Sequence, residues 1–370
     1  MRILHLANGR LYGGLERMLA TLAESQGLLR HLAFDFAVCH EGRLERELHA
    51  RGAAVHPLGN VRLSRPATLL RARRRLRVLL AERHYAAVVC HAPWALALFG
   101  GLARARRVAL VLWQHDRATG HTLIERAARR IPAALVLCNS HWTAASADLL
   151  QPGVPRRVLY CPVAPGAASS SRAAMRAAFG ASESEVVILA ASRLERWKGH
   201  LELVQALAAI PDRRWVLWVA GAAQRPHEAR CLASVQGAAR ALGVEDRVRF
   251  IGERQDIPAV LAAADVLAQA NIEPEPFGII FAEALLAGRP VVTSRMGGAP
   301  EIVDDSCGRL VAPRDRPALS GALAELIADQ PLRAALGAAG PPHASARCDP
   351  AVVLPALEEA LLAAGALAAA

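Results

Sequence analysis

Short apolar runs alternate with helix-patterned stretches along the whole chain, and this rhythm limits the possible folds more than any other feature of the sequence. In the first half the runs fall at residues 3–7, 34–38, 55–58, 86–90, 108–113 and 135–139. In the second they fall at 186–191, 215–220, 248–251, 266–268, 291–294 and 310–311. They are predominantly apolar, which fits strands buried on both faces, and helices between such strands give parallel sheets. A chain of 370 residues is long for one core and suits two domains of about 150–200 residues each. The expected class is α/β, with two Rossmann-like parallel-sheet domains.

The break between the domains is placed at 161–171, where Pro, Gly and Ser dominate and periodicity disappears. The expected division is 1–163 for an N-terminal domain and 164–345 for a C-terminal domain. Residues 346–370 would form a C-terminal helix, with a return to the first domain as one way for it to dock. A second soft stretch at 340–350 precedes a helix expected over 351–362, and the Ala-rich tail beyond is expected to fray.

Hydrophobic residues make up 53% of the chain but aromatics only 4%, so the cores must be built from Ala, Leu and Val. The most apolar stretch, 85–103, contains His91, Pro93 and a Gly pair, and divides into strand, turn and helix rather than a membrane span. The start of the chain reads as a first strand, not a signal peptide. Seven cysteines are scattered without a C-x-x-C pair, as expected of small buried residues in a reducing, cytoplasmic setting. The net charge of +11 is open to more than one reading. It can reflect a general preference for Arg, or a basic face resting on anionic lipid at the inner side of the cytoplasmic membrane. For the latter the candidate is the amphipathic run Arg71, Arg73, Arg74, Arg75 and Arg77 with its leucines. Nucleic acid is not an expected partner, because the basic residues lack interleaved aromatics.

Ligands of open parallel sheets sit at the carboxyl ends of strands, and the chemistry-bearing residues cluster there. Gly13 and Gly14 precede a helix and offer backbone N–H groups to an anion, but G-x-G-x-x-G is absent, which argues against a nicotinamide enzyme. Arg193 and Lys198 follow the run at 186–191 and can converge on a diphosphate, offsetting charge that builds on a leaving phosphate. Lys198 is the only lysine of the chain, where Arg is used everywhere else. Glu275 and Glu283 lie eight residues apart across the opening of a helix, with the N–H groups of Phe277, Gly278 and Ile279 between them. Eight residues of helix would span roughly 12 Å, about the reach from sugar ring to ribose in a nucleotide sugar. His115, after the fifth run, can hydrogen-bond a sugar hydroxyl, or serve only a strand-end turn. Gly297-Gly298-Ala299-Pro300-Glu301 is either a pocket lining or a turn.

At these residues the sequence resembles the family-4 retaining glycosyltransferases (glycosyl transferases group 1), which have the GT-B fold of two domains facing across a cleft. The resemblance covers most of the chain, in the family's order. It runs through Gly13–Glu16, His115-Asp116, Asn139-Ser140, Arg193, Lys198, Gly221, Gly252, Asp256, the Glu-x7-Glu pair Glu275 and Glu283, and Gly297-Gly298. It implies roles for each. Gly14 would approach the donor phosphate or the acceptor, with Gly13 and Glu16 near the acceptor, and Arg193 and Lys198 would clamp the diphosphate. Glu275 would orient the transferred sugar with the N–H groups of Phe277, Gly278 and Ile279. Glu283 would take the ribose hydroxyls, Arg254 would meet the base, and His115 would touch the sugar near the reacting centre.

The implied activity is transfer of a hexose from GDP-mannose or a UDP-hexose to a cell-envelope glycan or lipid-linked acceptor, forming an α-glycosidic bond with retention. No cofactor and no metal are expected, since D-x-D is absent and two cations can neutralise the diphosphate. Other readings are a sugar-nucleotide epimerase or phosphorylase on the same fold, or a non-catalytic nucleotide-sugar-binding partner.

Overall fold

The computed structural model describes residues 1–369. The chain forms two compact units, Met1–Val163 together with the segment from Cys348 onward, and Ala164–Arg347.

The first unit holds β1 (Arg2–Ala7), β2 (Ala33–Val38), β3 (Ala54–Pro57), β4 (Tyr85–Cys90), β5 (Ala109–Gln114), β6 (Leu135–Cys138) and β7 (Arg156–Val158). They make one parallel sheet in the order β3-β2-β1-β4-β5-β6-β7. The second unit holds β8 (Val186–Ala191), β9 (Trp215–Ala220), β10 (Val248–Gly252), β11 (Val266–Gln269), β12 (Val291–Ser294) and β13 (Gly308–Val311). Their order is β10-β9-β8-β11-β12-β13, again all parallel. Every residue of β5, β8 and β9 is buried, as continuous apolar runs require when helices cover both faces. The few aromatics anchor these layers: Trp113, Trp215 and Trp218 are among the largest fully buried side chains.

Both sheets reverse their winding direction once, between β1 and β4 and between β8 and β11. At such a switch point the connections leave in opposite directions and open a crevice beyond the strand ends. The loops that follow these four strands therefore lie where a ligand can enter.

The strand β7 carries no apolar run, since two of its three residues are Arg156 and Arg157. It is an edge strand, and an edge strand need bury only one side. A larger departure from the sequence reading is the stretch 340–350, which is not a loop: helix runs from Gln330 to Cys348 with Pro341 and Pro342 inside it. Its glycines serve close packing rather than flexibility. A Cβ on Gly340 would stand 2.7 Å from the Leu285 carbonyl oxygen, and one on Gly337 would stand 2.5 Å from that of Gly288.

A final helix, Pro350–Ala369, runs beyond the expected 351–362; Ala370 lies outside the described residues. The helix packs on β4 and β5. Glu358 fixes it there by accepting hydrogen bonds from the backbone N–H groups of Arg30 (3.2 Å), His31 (2.7 Å) and Leu32 (2.9 Å). Among the described residues all seven cysteines are free and buried, and no helix is long and apolar enough to cross a membrane.

Candidate active site

The second unit concentrates its polar side chains at the β8/β11 switch point. After β8 the chain passes through Ser192 and Arg193 into a short 3-10 turn, Arg196–Lys198, which ends on Gly199 at φ 76°. A Cβ on Gly199 would lie 1.6 Å from the Ala270 carbonyl oxygen, so only glycine lets this turn press against the end of β11. Ile272 N–H donates to the Trp197 carbonyl at 2.8 Å and ties the two loops together.

This docking brings Lys198 onto Glu275, with Nζ 2.5 Å from Oε2 and each side chain 12% exposed. Trp197 lies under the same ammonium, 3.9 Å from Nζ to the ring centroid. The carboxylate is held from behind, since Gln269 Nε2 donates to Glu275 Oε2 at 3.0 Å and Asn271 Nδ2 at 3.3 Å. Its backbone is pinned too. Gly298 N–H donates to the Glu275 carbonyl at 2.7 Å, and a Cβ on Gly297 would stand 2.2 Å from that oxygen. The Gly297-Gly298 pair thus has a packing role as the seat of the Glu275 loop.

Arg193 lies near carboxylates as well, with Nη1 2.8 Å from Glu195 Oε1 and 3.9 Å from Glu228 Oε1. Glu195 is kept in place by Trp197, whose Nε1 donates to Oε2 at 2.8 Å. Glu228 is fully buried and caps its helix by accepting from Gln224 N–H and Arg225 N–H. His200 opens the following helix, and burial, then the nearby Lys198 charge, push its pKa down to about 4. Both candidate phosphate-binding cations are therefore held by acids with fixed positions.

Beyond Glu275 the chain turns at Gly278, φ 89°, which caps the helix Ile279–Leu286. The helix begins at Ile279, so only the last four steps of the Glu275 to Glu283 spacing are helical, a rise of roughly 6 Å. Phe277 is buried, while Ile279 and Glu283 are half-buried. Arg254 has partners of its own. It forms a two-point pair with Asp256 (Nε to Oδ1 2.8 Å, Nη2 to Oδ2 2.6 Å) and lies over the Phe179 ring.

In the first unit, Gly13 caps the helix Gly14–Glu24, and Glu16 accepts from Gly13 N–H at 3.0 Å. The Glu16 carboxylate is thus engaged in capping its own helix, while Gly14 is exposed. His115 follows β5 and is half-buried. Its Nε2 lies 3.0 Å from His91 Nδ1, and His91 Nε2 lies 2.8 Å from His5 Nδ1. Burial lowers the pKa of all three rings, with His5 at about 3.

The family model for glycosyl transferases group 1 matches residues 171–342, the stretch that carries Arg193, Lys198, Glu275 and Glu283. Over 295 residues, 72% of this chain and 73% of the relative, the sequence is 33% identical to the GDP-mannose-dependent alpha-(1-6)-phosphatidylinositol monomannoside mannosyltransferase of Mycolicibacterium smegmatis. The chain belongs to the glycosyl transferases of group 1. A Corynebacterium glutamicum relative is a GDP-mannose-dependent monoacylated alpha-(1-6)-phosphatidylinositol monomannoside mannosyltransferase. It is 35% identical over 192 residues, which is 49% of this chain but only about half (48%) of the relative's length. In structure, the glycosyltransferase matches Anabaena Alr3699/HepE, solved in complex with UDP and glucose, with a TM-score of 0.85 and 26% identity over 98% of this chain and 100% of that one. Its fold is GT-B, with two Rossmann-like units.

Several residues of the glycosyltransferase's polar clusters escape the motif reading. Gln269 and Asn271 leave a trace, two amides closing an apolar strand. His5 and His91 are polar interruptions of otherwise apolar runs. Glu195 lies inside the Arg193–Lys198 stretch without a motif position of its own, and Glu228 gives no local signal, because it reaches Arg193 only through tertiary packing.

Proposed function

We propose that this glycosyltransferase retains anomeric configuration and transfers a hexose from GDP-mannose or a UDP-hexose to a cell-envelope glycan or a lipid-linked acceptor. The observation that carries the reading is the Lys198–Glu275 contact of 2.5 Å at the β8/β11 switch point. It sets a cation and a sugar-orienting acid side by side. A nucleotide sugar needs that chemistry at the bond to be broken: positive charge for the departing phosphate and a hydrogen-bond acceptor for the sugar hydroxyls.

The remaining roles follow in the same reading. Arg193 joins Lys198 on the diphosphate. The N–H groups of Phe277, Gly278 and Ile279 support the sugar, Glu283 accepts from the ribose, and Arg254 flanks the base from its Phe179-stacked position. Gly14 leaves room for the phosphate or acceptor, Gly13 and Glu16 shape the loop beside it, and His115 binds a sugar hydroxyl. With two cations available, the reaction requires no metal. The donor preference is supported by the relatives' dependence on GDP-mannose and by the UDP complex of the Anabaena protein.

A peripheral contact with the inner face of the cytoplasmic membrane belongs to the same reading. On the helix Pro66–Glu82, Leu76, Leu79 and Leu80 are buried, while Arg71, Arg74, Arg75 and Arg77 are exposed beside Leu70 (67% exposed) and Val78 (46%). Exposed apolar side chains among arginines suit an anionic lipid surface.

Thermal shift against UDP, GDP, ADP and their sugars tests the donor. The right nucleotide sugar at 100 times its dissociation constant stabilises the native state by about 2.7 kcal/mol. The same donor is then supplied with and without acceptor lipids. Transfer with an α-linked product supports the reading, and isomerised donor without acceptor replaces it with an epimerase. Activity abolished by EDTA and restored by a divalent ion overturns the metal-independent part.

A further inference from the structure

On one face of the first sheet, three imidazoles form a chain. His5 is central in β1, His91 follows β4 and His115 follows β5. The rings stack in sequence, with centroids 5.1 Å apart for His5 and His91 and 5.3 Å apart for His91 and His115. Phe34 and Phe36 enclose the inner end, and Trp113 lies beside the outer two. His5 and His91 are fully buried.

The hydrogen bonds dictate the protons. Each contact joins Nδ1 of one ring to Nε2 of the next, and between two neutral rings each needs one proton. If His5 carries its proton on Nδ1, His91 must accept at Nε2 and so carry its own on Nδ1, and the same follows for His115. If His5 carries it on Nε2, all three do. Mixed arrangements set two protons or two lone pairs against each other. The chain also has no inner exit, because His5 Nε2 is buried without a hydrogen-bond partner. A proton taken up at His115 and passed inward would end as a cation among Phe34, Phe36 and the sheet.

Among the described residues no carboxylate pairs with any of the three rings to stabilise that cation. On β2, Asp35 is bonded to Arg2, His56, Arg83 and Tyr85. After β5, Asp116 accepts from Arg117 N–H. On the packed C-terminal helix, Glu358 and Glu359 hold the backbone at Arg30–Leu32 and the Arg157 side chain. An unpaired buried charge is expelled as the neutral form, and burial accordingly lowers the pKa of each ring.

We propose that His5 and His91 are positioning residues that lock His115 as a neutral imidazole of one tautomer, making it a hydrogen-bond partner for substrate and not a proton acceptor. The link to substrate rests on the glycosyltransferase reading above, whereas the lock itself does not.

The test is long-range 1H–15N spectroscopy of histidine-labelled full-length protein between pH 5 and 8, with rings assigned by single substitution. The expected result is three neutral rings protonated on the same-named nitrogen and no titration in that range. His91→Phe removes the bond that fixes the tautomer, so His115 stays neutral but interconverts between its two tautomers, and kcat/KM for the donor falls several-fold. An imidazolium or mixed tautomers in the wild-type trio, or an unchanged His115 signal in His91→Phe, overturns the proposal. The wild-type spectrum decides even if the variant fails to fold. Loss of the transferase reading, seen as no transfer from any donor, leaves the spectra as predicted.

Discussion

Glu275 keeps two amide donors, from Gln269 and Asn271, in addition to Lys198, whereas among the described residues the Lys198 ammonium meets Glu275 and the Trp197 ring. The pair is therefore asymmetric. Removing one partner of a buried pair costs about 3–5 kcal/mol when the other charge is left uncompensated. Glu275→Ala should lower stability toward that range, and Lys198→Ala should cost less because the amides still satisfy the carboxylate. Both should reduce kcat by about 100- to 1,000-fold, the usual effect of losing one preorganised charge-stabilising group. Urea unfolding and steady-state kinetics on the same preparations check the ordering; equal or reversed stability losses contradict it.

Arg193 and its partner Glu195 give predictions of opposite sign. Its guanidinium is held by Glu195 at 2.8 Å, and a diphosphate must share or replace that partner. Glu195→Gln keeps an oxygen for Trp197 while removing the competing charge. It should tighten nucleoside diphosphate binding several-fold at low salt, with the gain shrinking as ionic strength rises. Arg193→Ala should weaken binding by about 10- to 100-fold, the 1.4–3 kcal/mol of a charge-assisted contact. Calorimetric titration with UDP and GDP separates the two effects.

Two glycine substitutions with opposite surroundings test the loop geometry. At Gly199 an added Cβ meets the Ala270 carbonyl at 1.6 Å in a left-handed backbone, whereas at Gly237, inside the helix Pro226–Ala241, it meets nothing within 4 Å. Gly199→Ala should cost upward of about 3 kcal/mol and displace the Lys198 loop, while Gly237→Ala should stabilise by about 0.5–1 kcal/mol. Thermal midpoints of the two variants provide the comparison.

Docking of the C-terminal helix should depend on pH through Glu358. Burial pushes its carboxyl upward, but the N–H groups of His31, Arg30 and Leu32 outweigh burial and hold it below the ordinary range. A depressed folded pKa gives stability that is fully present above the unfolded value, about 4.3, and is lost as pH falls through the folded one. Glu358→Gln should therefore be less stable than wild type by about 1–3 kcal/mol at pH 7, and the gap should narrow as the pH drops below about 4. Denaturation at pH 7 and pH 3.5 measures it; a gap that is constant with pH contradicts the assignment.

Most of the fold was legible because its signal is local. Apolar runs such as 186–191 and 215–220 reproduce β8 and β9 end to end, since a strand buried on both faces has no polar positions to blur its limits. β7 was illegible because Arg156 and Arg157 dominate it. The helix over 340–348 was misread because Gly340 and Pro341 carry the local signature of a break, and only the nearby Leu285 backbone shows why glycine is needed there. In the polar clusters, the motif residues Arg193, Lys198 and Glu275 stand out in sequence, but what holds them does not. Glu228 and Gln269 reach their partners by packing, which no spacing rule encodes.

The first unit is discontinuous in sequence: 184 residues, Ala164–Arg347, separate its two segments, and Val163 N–H donates to the Cys348 carbonyl where the segments meet. During synthesis, the inserted unit is complete before the helix that covers β4 and β5 has been made. Until then, part of the first sheet lacks its cover, an exposed apolar surface of the kind chaperones recognise. Shortening the chain at its end would thus harm the unit encoded at its beginning.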